Sequence, residues 1–132
     1  MTALLHAHSG VRYLVLLFGL IHVVFSLMSL VQKKPVTGAA RGLSAAFMGT
    51  LHLQIVLGIS GVILGTWYPA LIGHLVMMLA AGALATAMHV INKRSPAPNH
   101  VRPLIGTGGA LLLIVGGILA IGRSIVGSAY GG

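Results

Sequence analysis

No aspartate, glutamate or cysteine occurs anywhere in the 132 residues. The missing acids remove carboxylate acid–base catalysis and carboxylate metal sites. The missing thiols remove disulfides, cysteine nucleophiles, zinc ribbons, iron–sulfur clusters and covalent c-type haem. Charge of any kind is scarce: 6% of residues are charged, against about 25% in a soluble domain. An ordinary soluble fold is therefore excluded. The net charge of +8 sits between apolar runs, as topology signals do and a nucleic-acid surface does not. Chemistry is left to His, Met, Arg, Lys, Tyr, Ser, Thr, Asn and Gln.

What the chain does have is long apolar runs, with 57% hydrophobic residues. Runs near residues 10–31, 43–65, 69–91 and 104–122 each suffice to cross ~30 Å of hydrocarbon at ~20 residues per span. Backbone in lipid must satisfy its own hydrogen bonds, so the runs are expected to be helices. The expected fold is all-α: a single four-transmembrane-helix domain forming an integral membrane bundle. The first run lacks a basic n-region and is too long for a signal-peptide core, so it is expected to stay as a span.

Basic and neutral connections alternate. "QKKPVTGAARG" carries Lys33, Lys34 and Arg41, and "NKRSPAPNHVRP" carries Lys93, Arg94 and Arg102. "GTWYPALIG" has no charge but carries Trp67 and Tyr68. Basic loops stay cytoplasmic and aromatic belts mark the interface, so both termini are expected on the non-cytoplasmic side.

Seven histidines interrupt this apolar pattern. Polar side chains inside a bilayer are expensive and are functional-site candidates by default. His6 and His100 fall at expected helix ends, where water satisfies them. His8 and His22 differ by about 40° in direction and roughly 21 Å in height on an ideal helix. His74 and His89 differ by about 60° and roughly 22 Å. Helices one and three run in the same direction, and one relative shift brings His8 level with His74 and His22 level with His89. Two such levels are what two stacked haems require. His52 competes for the inner level, because the antiparallel register through Lys33 and Arg41 sets it level with His22. The inner partner of His22 is thus either His52 or His89. The bland alternative is histidines hydrogen-bonded between helices.

Room and counter-charge are also present. Gly58, Gly61 and Gly65 share a face of helix two, as do Gly106, Gly109, Gly116 and Gly117 on helix four. A flat macrocycle approaches backbone most closely at glycine, although small residues equally serve helix packing in membranes. His52 points nearly opposite the helix-two glycines. Arg12 follows His8 by one turn, and Arg123 closes helix four on the same side. Arginine pairs with haem propionates as with any carboxylate, while snorkelling to headgroups is the plainer role. Met77 and Met78 follow His74 and offer either soft-metal ligands or packing.

"HSGVRYLVLL", "LHLQIVLGI" and "GHLVMMLA" carry a resemblance over most of the chain. The sequence resembles a family of small bacterial four-helix membrane proteins of cytochrome b-like type. The resemblance picks out His8, Arg12, His52, Gln54 and His74. The paired histidines are also similar to the diheme arrangement of respiratory cytochrome b, without that protein's additional helices. It implies a multi-pass protein of the bacterial inner membrane.

Three functions follow as expectations. The first is a b-type cytochrome-like electron-transfer protein holding one or two haem b groups by bis-histidine ligation. His8, His22, His52, His74 and His89 supply its ligands, and Arg12, Arg123, Gly58, Gly61, Gly109 and Gly116 its surroundings. Its partners would be quinol or other membrane subunits, within a respiratory or photosynthetic complex. The second is copper handling by His and Met. The third is a structural subunit without cofactor.

Overall fold

The computed structural model describes residues 2–65, 69 and 71–120. These form four helices: α1 (Thr2–Val31), α2 (Gly38–Ile63), α3 (Leu71–Arg94) and α4 (Val101–Ala120). Each is long and apolar enough to cross a membrane. They pack in a ring in which α1 meets α2 and α4, and α3 meets α2 and α4. Helices α1 and α3 lie on a diagonal without close backbone approach, and α3 with α4 is the tightest pair.

Polarity runs inside out. Leu17, Leu20, Val31, Ile63 and Leu112 are among the large apolar side chains facing outward. Ser26, Ser29, Ser44, Gln54, Asn92 and Thr107 are buried beside Phe47, Leu51 and Ala81. In water such a surface would aggregate. In lipid there is no penalty for apolar surface, and polar side chains gain by meeting each other in the interior.

The helix ends have local causes. At the end of α1, Lys33 adopts φ 54°. Its N–H donates to Leu30 O at 3.2 Å, and Lys34 N–H donates to Ser29 O at 2.9 Å. That is a Schellman stop built on lysine where glycine is usual, and Pro35 follows. Thr37 opens α2 by accepting from Ala40 N at 3.4 Å. Gly65, just past the α2 cap at Leu64, has φ 116°, which side chains with a Cβ rarely adopt. Lys93 and Arg94 lie in the last turn of α3, where positive charge meets the negative end of the helix dipole. Asn92 ties down the next loop, donating from Nδ2 to Asn99 O and accepting from Asn99 N, each at 2.9 Å. Asn99 in turn accepts from Arg102 N at 2.9 Å and caps α4.

Helices α1 and α2 begin earlier than their apolar runs, near residues 10 and 43, imply. α3 likewise runs on to Arg94. An apolar window marks only the hydrocarbon-depth part of a helix, whereas the backbone ladder continues through the headgroup layer until a cap stops it.

Candidate functional site

Two clefts that carry histidines lie at opposite ends of the bundle. The first is lined by His8 from α1, Gln54, Gly58 and Gly61 from α2, and Leu71, His74 and Met78 from α3. Its cavity proper is about 30 Å³, and the rest of the cleft is open. Exposed Ile59 and Leu79 on its rim put that mouth on the lipid face between α2 and α3.

His8 and His74 reach this cleft from the two diagonal helices. His74 is half-buried, and its Nδ1 donates to the carbonyl of Gly117 at 3.1 Å. A carbonyl only accepts, so in the neutral ring Nδ1 carries the hydrogen and Nε2 keeps its lone pair. This arrangement orients metal-ligating histidines elsewhere. His8 lies against α2 where Gly58 leaves a gap: a Cβ there would sit 3.1 Å from His8 Cε1. Gly58 and Gly61 therefore face the cleft, and Gly58 seats an imidazole.

Arg12 is 5% exposed. It donates to the Tyr13 hydroxyl at 3.0 Å and stacks 4.8 Å from the centre of that ring. It lies one turn beyond His8 in a chain with no acidic side chain. Gln54 is buried, and its Oε1 has no hydrogen-bond partner among the described residues.

The second cleft, at the end where both basic loops gather, brings together His22, His89 and His100. His22 is 1% exposed, and its Nδ1 pairs with Thr107 Oγ1 at 2.7 Å. His89 Nδ1 pairs with Ser44 Oγ at 2.7 Å. Of the two partners open to His22, His89 shares its cleft and His52 does not. His52 is exposed on the outer side of α2, where its Nε2 pairs with Thr86 Oγ1 of α3 at 2.8 Å.

His100 departs from the expectation of a water-satisfied end. It is 4% exposed, and its Nε2 donates to Lys34 O at 2.9 Å. The α1–α2 connection folds across the start of α4, a tertiary contact that residue spacing does not encode. Ser44, Thr86, Thr107 and the Gly117 carbonyl were likewise missed as histidine partners. The available signal was a hydroxyl residue on a neighbouring span at the depth of each imidazole.

The helix-four glycines occupy a different surface. A Cβ on Gly109 would sit 2.5 Å from Leu84 Cδ2, and one on Gly116 would sit 2.9 Å from Met77 Cε. Both are seats for α3 side chains, and Met77 and Met78 fill such seats as packing residues. Arg123, with Trp67 and Tyr68, lies outside the described residues.

At the first cleft two imidazoles from diagonal helices, one with its tautomer fixed by Gly117, are the donors a bis-histidine haem would use; Arg12 is buried one turn from His8 but does not line the cleft. Among the described residues no group of three or more His, Cys, Asp or Glu is arranged to hold a bare metal ion. Compared with protein-family models, with curated proteins and with solved structures, the chain matches none.

Proposed function

We propose that the chain is a b-type haem electron-transfer protein of the bacterial inner membrane, holding one haem b between His8 and His74. One observation carries this reading. His8 and His74 line one cleft from diagonal helices, while the Gly117 carbonyl holds His74 Nδ1. When bound, a haem would supply a one-electron redox centre, and His8 and His74 are the residues that would hold it.

The remaining work belongs to the protein. Gly58 lets the His8 imidazole lie close to α2. Arg12 brings positive charge next to His8, suited to a propionate in a chain that has no acidic side chain to offer it. Outward apolar side chains exclude water from the cleft rim. The reading includes kinship with the cytochrome b-like four-helix proteins that the motifs resemble. It also includes basic loops on the cytoplasmic side with both termini opposite, and quinol or another membrane subunit as redox partner.

A reduced-minus-oxidised visible spectrum of the purified protein tests this. A sharp α-band in the b-haem region, with about one haem per chain, is the expected result. It should vanish in His74→Ala and in His8→Ala. A colourless protein ends the proposal, and a ratio near two returns His22 and His89 as a second ligand pair.

A second reading rests on a separate observation. His22, His52 and His89 each pair with a hydroxyl of a neighbouring helix. Such bonds hold membrane helices together without any cofactor. For these three rings we propose that structural role.

A further inference from the structure

The cleft at the basic end is unlike the first one in its chemistry. Its walls carry His22 and Ser26 from α1, Arg41 and Ser44 from α2, and His89 and Lys93 from α3. Its cavity proper is about 20 Å³, and the rest of the cleft is open. His22 is almost wholly buried, with Nδ1 on the Thr107 hydroxyl. Its Nε2 is also buried and has no hydrogen-bond partner among the described residues. A dry, unpaired ring nitrogen is costly to leave unsatisfied, so a polar group belongs beside it.

The sign of that group follows from its surroundings. Beside apolar Val36, Ala40 and Pro103, the polar side chains round the pocket are imidazoles, hydroxyls, the Asn92 amide and the cations Arg41 and Lys93, with no anion among them. With no Asp or Glu in the chain, Arg41 and Lys93 have no acidic side chain to neutralise them. If the Thr107 hydroxyl donates to Nδ1, the ring hydrogen sits on Nε2, ready for an acceptor. A cation would be repelled here. An anion with several acceptor oxygens satisfies the imidazole and both basic side chains at once. Basic pockets between helix ends are where membrane proteins take anionic headgroups.

We propose that this pocket binds a phosphate-type oxyanion, either the phosphate of an anionic phospholipid headgroup or free phosphate. The site is separate from the His8–His74 cleft and does not depend on haem there.

Calorimetric titration of the detergent-solubilised full chain tests it with three probes. These are inorganic phosphate, short-chain phosphatidylglycerol, and short-chain phosphatidylcholine as the zwitterionic control. Saturable binding of phosphatidylglycerol alone assigns the pocket to a lipid headgroup. Equal binding of inorganic phosphate assigns it to the free anion. In either case Arg41→Gln combined with Lys93→Gln weakens binding by about tenfold or more, each cation near a charged surface contributing about 1 kcal/mol. Both residues are exposed, so this variant folds even where His22→Asn does not. Absence of saturable binding by both anionic probes overturns the proposal, as does wild-type binding by the double variant or equal binding of phosphatidylcholine. The pocket then holds only water.

Discussion

At the scale of single residues, histidine nitrogens decide most of what distinguishes this bundle from inert packing. The bond between His22 and Thr107 Oγ1 spans α1 and α4 at 2.7 Å inside the core. Thr107→Val keeps the shape and removes the hydroxyl. Interhelical hydrogen bonds in membranes contribute about 0.6 kcal/mol on average and up to about 1.7, so a loss in that range is expected from unfolding in mixed micelles. No measurable loss would remove the bond from the account. Gly58→Ala probes the other cleft. A Cβ would meet His8 Cε1 at 3.1 Å, so the ring must yield by a few tenths of an ångström. Under the haem proposal the variant still folds, but its α-band or midpoint potential moves. An unchanged spectrum and potential would separate His8 from the iron. Which residues carry polarity was readable beforehand, since imidazoles stand out in apolar runs. Their partners were not. Depth follows from residue number, but direction depends on how each helix rotates against its neighbours. That is why His52, level with His22 in register, ends up on the opposite side of α2.

At the scale of helices, small residues set how closely the elements approach. Gly106 and Gly108 are two positions apart on α4 and make opposite predictions. A Cβ on Gly106 would lie 2.6 Å from Met88 Cβ. Met88 Cβ is fixed to the α3 backbone and cannot swing aside, so Gly106→Ala must part α3 from α4. Overpacking of this kind costs about 1–3 kcal/mol. Gly108 has nothing within 4 Å of its Cβ position. Gly108→Ala should be neutral or stabilising by up to about 1 kcal/mol through helix propensity. Thermal unfolding of the two variants in the same detergent checks the contrast, and equal Tm shifts would contradict the packing described. Four helices were legible from run length alone, because lipid leaves a spanning backbone no alternative. Their ends were less so, since caps at Lys33 and Thr37 act beyond the apolar window. The helix-four glycines show the same limit. Their shared face was visible, but only the packed bundle shows Leu84 and Met77 seated at Gly109 and Gly116.

At the scale of the whole molecule, both basic connections gather at one end of the bundle, and the short α2–α3 connection lies at the other. The four helices alternate in direction, so sidedness is a single choice for the entire chain. The proposed choice follows from the bias of Lys and Arg toward cytoplasmic loops. No acidic residue opposes that bias, and Lys33, Lys34, Arg41, Lys93, Arg94 and Arg102 all fall at one end, against Arg12 toward the other. The absence of cysteine makes the test clean, because one introduced thiol is the only one present. Ala97 lies exposed in the α3–α4 connection, and Leu64 lies exposed just past α2. A membrane-impermeant maleimide applied to intact spheroplasts should label Leu64→Cys. It should label Ala97→Cys only after lysis. The reverse pattern would put the phosphate-type pocket on the outer face and the His8–His74 cleft on the inner one. Under the haem proposal, the haem would then lie nearer the cytoplasmic face.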